Sequence, residues 1–242
     1  MPITPPTAQP PRQQAGQDCI YLKDTYLDHL DTFIIARGSQ LGRPWIAVEQ
    51  CIFHPQGGGQ PADKGWLDQY EIVPFLDRDT GLVLASFFGD GSAAENYRIG
   101  QRVRTNIDLA QRMSNAAHHT AGHVIEAAGR TQGWTLAANI HFPGQSRIEF
   151  TSSDARLADD AGRIHATEAL REVVQTTIGS DLRVDADVDE SGLRTVRIGE
   201  LHAALCGGTH LRRLGELGNL TIPTIKIKRG RIRVSYAAEP TH

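Results

Sequence analysis

Between residues 19 and 105 short apolar runs, FIIARG, WIAVEQCIF, EIVPFL and GLVLASFF, are separated by Gly, Pro and Asp. Runs of this length bounded by turn formers predict strands, so the first part of the chain is expected to be a small, mainly-β domain. The pattern changes at NIDLAQRMSNAAHHTAGHVIEAAG, where apolar positions follow a helical spacing. Asp108 is placed to cap the start of that helix, no proline interrupts it, and Gly129 is placed to close it. RIEFTSSD reads as a strand, residues 155 to 178 as a second long helix with Leu170, Val173, Val174 and Ile178 on one face, and DLRVDADV as another strand. The expected class is α+β, with a β-rich domain over 19–105 and an α+β domain over 106–242. Residues 1–18 are rich in Pro and Gln and nearly free of large apolar groups. They cannot bury enough surface to offset the entropy of ordering and are expected to form a mobile tail.

The last apolar–polar alternation is TIKIKRGRIRVSY. A two-residue turn at Arg229-Gly230 would pair Ile227 with Ile232 and Ile225 with Val234, leaving Lys226, Lys228, Arg231 and Arg233 on the other face. Like charges facing one another cost a fraction of a kcal/mol per pair in solvent, and become favourable if a polyanion lies across them. A solvated edge strand guarded by lysines accounts for the segment equally well.

Composition narrows the setting. The formal charge of −3 argues against a protein coated with basic residues, yet leaves room for a local basic groove. No apolar run approaches the ~18 residues of a membrane span and the N-terminus has no apolar core of a signal peptide, so the expected compartment is the cytoplasm. The three cysteines, Cys19, Cys51 and Cys206, are odd in number and far apart, which suits reduced thiols or a metal ligand better than a disulfide framework.

Three histidines crowd SNAAHHTAGHVIEAA. His119 and His123 are four apart and share a helix face, while His118 points elsewhere. Two such imidazoles can share a metal ion, but alone the pair is as easily two partly buried side chains. ALCGGTHLRRLGELG supplies Cys206 and His210, with glycines that let the backbone turn so that both face one point. His119, His123, Cys206 and His210 together form a set suited to Zn2+ by ligand type and softness. Four protein ligands usually mark a closed structural site, and spacing alone leaves structural and catalytic roles open. FHPQGGGQPADKG adds three consecutive glycines whose backbone can approach a ligand closely, with Gln60 offering donors and acceptors. It is no phosphate loop, since Gly-Lys-Ser/Thr is missing. Gly58, Gly59, Gln60 and Thr209 are the candidates for contact with a substrate; Thr209 equally suits bracing its turn.

In this order the segments resemble the AlaX family, free-standing relatives of the editing domain of alanyl-tRNA synthetase, over about residues 20 to 237. The resemblance rests on the H-x3-H helix with Asp108 and Arg112 before it, Cys206 to His210 as C-G-G-T-H, Gly215 to Gly218 as G-E-L-G, the loop GGGQPADKG, the strand segment HFPGQSRIEF and the C-terminal IKIKRGRIRVSY. It implies that His119, His123, Cys206 and His210 hold zinc, that the site hydrolyses an ester, and that the partner is RNA: tRNA(Ala) mischarged with serine or glycine. The physics is consistent, because an alanine-sized activation pocket cannot strongly reject glycine or serine and a second site must remove the product. The doubled His118-His119 and the alanine-rich MSNAAHH depart from the family's usual pattern. Rival readings are removal of serine from tRNA(Thr) and a zinc-stabilised RNA-binding module without catalysis. A peptidase would want H-E-x-x-H, and Thr120 holds the glutamate position.

Overall fold

The computed structural model describes residues 16–88 and 91–241. In chain order the strands are β1 (Asp18–Cys19), β2 (His29–Gln40), β3 (Arg43–Val48), β4 (Gln50–Cys51), β5 (Gly65–Leu67), β6 (Tyr70–Leu76), β7 (Val83–Phe87) and β8 (Arg102–Ile107), and then comes helix α1 (Leu109–Thr131). After it come β9 (Thr135–Ile140), β10 (Arg147–Thr151), helix α2 (Asp160–Gly179), β11 (Val184–Val188), β12 (Arg194–Ile198), β13 (His202–Leu205), β14 (Leu217–Thr221), β15 (Lys226–Lys228), β16 (Arg231–Ser235) and β17 (Ala237–Pro240). The described residues are thus mainly β with two α-helices, an α+β arrangement. Neither of these helices is long and apolar enough to cross a membrane.

The alternating segments before residue 108 close on themselves as a barrel in the order β2-β3-β7-β6-β5-β8. Closure leaves no free sheet edge, and the inward positions, among them Ile34, Ile46, Val48, Ile72, Phe87 and Val103, form one core. Tail residues 1–15 lie outside the described residues, but its end is not loose. Gln17 is buried and acts as a surrogate strand: its amide donates to Val48 O and Val83 O, and its Oε1 accepts from Val83 N. Asp18 opens the parallel pairing of β1 with β4. The tail reading fails at these two residues because a side-chain amide can do what apolar burial could not.

The second core surrounds α1, whose residues from Asn115 to Gly129 are all buried. Its run of alanines lets β10, β17 and α2 approach the helix from several sides. Asp108 caps the start as expected, accepting from Gln111 N. Gly129 does not close the helix. It lies inside it, where a Cβ would stand 2.6 Å from the ring of Phe150, and the chain leaves at Gly133 with φ +76°. The hairpin sets Ile227 opposite Ile232 as expected, with Lys226 opposite Arg233, Lys228 opposite Arg231, and Arg229 and Gly230 both at positive φ, but the ladder ends at Lys226, before the expected Ile225–Val234 pair, because Ile225 N donates to Thr167 Oγ1. It forms the edge of the sheet β15-β16-β10-β9, separate from the sheet β11-β12-β13.

The barrel is fastened to α1 through residues 54–64. Asp108 N donates to Lys64 O, and Lys64 N donates to Gln111 Oε1. Arg112 and Asp63 form an ion pair with both side chains wholly buried. The guanidinium also donates to Thr25 O and Ile52 O, and Asp63 accepts from His54 N, so neither charge is left unsatisfied.

Candidate metal centre

His119 and His123 stand one turn apart on α1 with their rings stacked, centroids 5.1 Å apart and planes within 12°. The other pair comes from the loop after β13. Gly208 is obligatory there, because a Cβ would fall 2.1 Å from the His119 ring and 2.8 Å from Gln60 Oε1. Arg194 on β12, almost fully buried, gathers the loop by donating to Cys206 O at 2.8 Å and Gly208 O at 3.1 Å. These placements put one donor atom from each of His119, His123, Cys206 and His210 within 4.8 Å of one another. Cys206 Sγ lies 3.4 Å from His119 Nε2 and 3.3 Å from His210 Nε2. A tetrahedron with Zn–N of about 2.1 Å and Zn–S of about 2.3 Å has edges of roughly 3.3 to 3.6 Å, so these spacings suit such an ion.

The second nitrogens are consistent with that use. Nδ1 of His119 is 2.8 Å from Gln60 Oε1, Nδ1 of His123 is 2.9 Å from His202 Nε2, and Nδ1 of His210 is 3.4 Å from Thr120 Oγ1. Each imidazole is therefore gripped at Nδ1 and turns Nε2 to the centre, the pattern by which outer partners orient metal-binding histidines. Nε2 of His123 is buried with no hydrogen-bond partner. An orphaned buried lone pair is costly in a protein interior, and a cation among these donors would satisfy it.

Burial, and then the neighbouring imidazoles, hold His119, His123 and His210 well below the usual histidine range. They are neutral at neutral pH, which is the form that ligates. Burial pushes the Cys206 thiol up, against the opposing pull of Gly208 N–H and the Arg194 guanidinium.

Gln60 and Thr209 meet. Gln60 Nε2 donates to Thr209 Oγ1 at 2.9 Å, and Gln60 Oε1 accepts from Thr209 N at 3.0 Å, both side chains being wholly buried. Gln60, a candidate for substrate contact, holds His119 and the Cys206–His210 loop, and Thr209 braces its turn. Gly58 and Gly59, at φ +55° and +78°, are the corners of the tight turn that returns Gln60 into the interior. Gly59 also accepts the His141 N–H and packs on Asn139. Lys226, Lys228, Arg231 and Arg233 sit on the edge hairpin and not among the donors. There Arg231 and Arg233 both bond Glu149 on β10. His118 does point elsewhere: its Nδ1 donates to Ser114 O and its Nε2 accepts from Ala238 N. Thr120, in the position a peptidase would fill with glutamate, bonds Leu211 N and His210.

Two histidines escape sequence reasoning. His141 stacks on His119 with centroids 4.3 Å apart and bonds Tyr236 Oη through Nδ1 at 2.6 Å. Gly122 exists to admit it, since a Cβ there would lie 2.4 Å from the His141 ring. His202 touches His123. Burial holds His141 and His202 neutral, with pKa values of about 3 and about 4 respectively. The one signal for His202 was its place four residues before Cys206; for His141, a solitary histidine in a strand-like segment, there was none. A cleft of about 460 Å³ lined by Thr25, Tyr26, Val184, Arg194, His210 and Arg212 opens beside His210.

Residues 193–234, which include Cys206 and His210, match the family described as the threonyl and alanyl tRNA synthetase second additional domain. The chain is 31% identical to the alanine–tRNA ligase of Korarchaeum cryptofilum over 241 residues, covering 90% of this chain and 26% of that protein. It is 25% identical to the alanine–tRNA ligase of Metallosphaera sedula, with 90% and 26% covered. It is 27% identical to the alanyl-tRNA editing protein AlaX-L of Pyrococcus horikoshii over 221 residues, 84% of this chain and 53% of that one. The chain thus spans about a quarter of these ligases and about half of AlaX-L. The chain is thus similar to AlaX-L and to one segment of the alanine–tRNA ligases, and the family match falls on the stretch that carries Cys206 and His210.

Proposed function

We propose that the chain hydrolyses the ester of tRNA(Ala) mischarged with serine or glycine, using a zinc centre held by His119, His123, Cys206 and His210. The observation that carries this reading is the convergence of four buried donors from two distant segments, with all three imidazoles turned the same way by partners at Nδ1. Similarity to the alanyl-tRNA editing protein AlaX-L supports the substrate class. A zinc ion there would polarise an ester carbonyl or lower the pKa of a water. The chain's own residues do the rest. Gln60 and Thr209 fix His119 and the ligand loop, Arg194 keeps that loop closed, and the cleft beside His210 receives the acceptor end. The exposed turn at Gly58 and the neighbouring Gly59 offer backbone groups to the substrate from the barrel side. Releasing serine while sparing alanine would call on a polar group left unpaired when serine's hydroxyl is missing, and releasing glycine while sparing alanine would call on a site that excludes the methyl, a weaker device.

The burial of all four donors, each no more than 7% exposed, favours a second reading, a zinc-stabilised RNA-binding module. One assay separates the two. Purified protein is offered Ser-tRNA(Ala), Gly-tRNA(Ala), Ala-tRNA(Ala) and Ser-tRNA(Thr), and release of the amino acid is followed. We expect release of serine or glycine from tRNA(Ala) with Ala-tRNA(Ala) spared. Cleavage of none would leave the binding module, and cleavage of Ser-tRNA(Thr) alone would move the substrate to the threonine system.

A further inference from the structure

We infer that His202 is a positioning residue for the metal centre, accepting the Nδ1–H of His123 and so fixing the tautomer that presents His123 Nε2 to the ion. This inference rests on the zinc reading proposed above.

The geometry allows two arrangements of one proton. His202 Nε2 and His123 Nδ1 are 2.9 Å apart and both rings are buried, so one nitrogen must donate and the other accept. If His202 donates, Nδ1 of a neutral His123 is the acceptor and its one hydrogen must sit on Nε2. A protonated Nε2 cannot bind a cation. If His123 donates, its Nε2 is a bare lone pair and His202 must carry its hydrogen at Nδ1. His202 Nδ1 and His123 Nε2 are both buried without partners, so the two nitrogens left over by the shared hydrogen bond mark the two ends of the pair. Only the second arrangement gives His123 the same orientation as His119, whose Nδ1 faces the Gln60 carbonyl oxygen.

The surroundings favour that assignment. Glu126, one turn further along α1, places Oε2 3.9 Å from His123 Nδ1, and a carboxylate on that side favours a hydrogen on Nδ1 over a lone pair. Glu126 is itself held by Arg130. The trio His123, Glu126 and His202 also has the composition of a metal-binding group in its own right. A separation of 2.9 Å between the two imidazole nitrogens is a hydrogen-bond distance, however, and is short for two ligands of one tetrahedral ion, whose nitrogens stand roughly 3.3 Å apart. We therefore assign His202 to support of the first centre and not to a second one.

Two measurements test this. In the first, zinc affinity is found by chelator competition for the parent, His202→Phe and His202→Gln, with metal content per chain. Outer partners of this kind typically contribute about 10–100-fold in affinity, so His202→Phe should weaken zinc by about that factor, while His202→Gln, which keeps an acceptor, should recover most of it. In the second, the imidazole nitrogens of the zinc-loaded parent are read by NMR, which needs no variant to fold. His202 should carry its hydrogen on Nδ1. Parent-like affinity in a folded His202→Phe, or a hydrogen on His202 Nε2, overturns the inference, as does a second zinc per chain lost with His202. A parent that binds no zinc would instead overturn the metal reading beneath it.

Discussion

As sequence the donor centre reads as two compact His/Cys pairs and the C-terminal hairpin as one compact run of cations, and the fold treats the two regions in opposite ways. In the centre every ligand histidine is buried and its outer nitrogen is gripped by a second side chain, Gln60, His202 or Thr120. On the hairpin Lys226, Lys228 and Arg231 are exposed and Arg233 is half-buried, and two of the four cations are already partnered by Glu149. Burial works upward on the Glu149 carboxyl, but the hydrogen bonds from Arg233, Arg231 and Arg147 outweigh it and hold it below its ordinary value. The difference teaches where chemistry is specified tightly. A low-dielectric interior penalises any unmatched polar group, so the centre is built to one arrangement, whereas solvent tolerates several on the hairpin.

The largest effect should come from breaking the centre itself. Cys206→Ala and His123→Ala should each abolish stoichiometric zinc, read by metal analysis of purified protein; full occupancy in both variants would remove the assignment. Zinc loading should also release about one proton per ion near neutral pH, because the histidines are already neutral while burial keeps the Cys206 thiol protonated. Affinity should accordingly rise with pH as the thiol becomes easier to deprotonate. An indicator dye in weak buffer measures the release.

Next comes the frame of the centre. Asp63→Ala strands the wholly buried Arg112 guanidinium and removes the acceptor of His54 N. It should cost about 3–5 kcal/mol in urea unfolding, the usual penalty for an unpaired buried charge. Glu149→Gln, which removes the charge shared by Arg147, Arg231 and Arg233 on the hairpin side, should cost less, about 1 kcal/mol. Similar losses in the two variants would erase the contrast between interior and surface.

Gln60→Ala follows. A residue that only shaped substrate selection would leave zinc content untouched, but Gln60 bonds both His119 and Thr209. We expect zinc affinity to fall by about 10–100-fold with little change in the fold, measured by chelator competition and circular dichroism. Unchanged affinity would return Gln60 to the substrate side.

How much of this was legible depends on range. The Arg229-Gly230 turn, the Asp108 cap and the two donor pairs are local patterns, and their geometry follows from a few neighbouring residues. Closure of the barrel, the surrogate strand made by Gln17 and the approach of His141 to His119 join residues far apart in the chain, where no periodicity speaks. Gly129 shows how a local rule misleads: glycine close to a helix end reads as a cap, but here the missing side chain makes room for Phe150 from another strand. Gly122 and Gly208 are of the same kind, each absent Cβ admitting a histidine ring. Conversely, Gln60 was visible as an unusual residue beside three glycines, but its partner, 149 positions away, was not.

The smallest effect concerns the hairpin, and it sharpens the comparison because the four cations should not act equally. Lys226 and Lys228 are exposed on the edge strand β15, and Arg231 and Arg233 share Glu149 on β10. If the face lies along the RNA backbone, each lysine neutralises a phosphate and releases counterions. Replacing both with Gln should weaken tRNA binding across sequences and reduce the salt slope by about 2. Replacing Arg231 and Arg233 should do less, because it also frees Glu149, which then repels the phosphates the arginines had faced. Glu149→Gln gives the opposite sign: it uncovers both arginines and should tighten binding at low salt. Fluorescence titrations of a tRNA(Ala) acceptor stem at several salt concentrations read all three. A salt slope indifferent to the lysine pair would assign the hairpin to solvent, with its alternation serving only to keep an exposed edge from pairing with another chain.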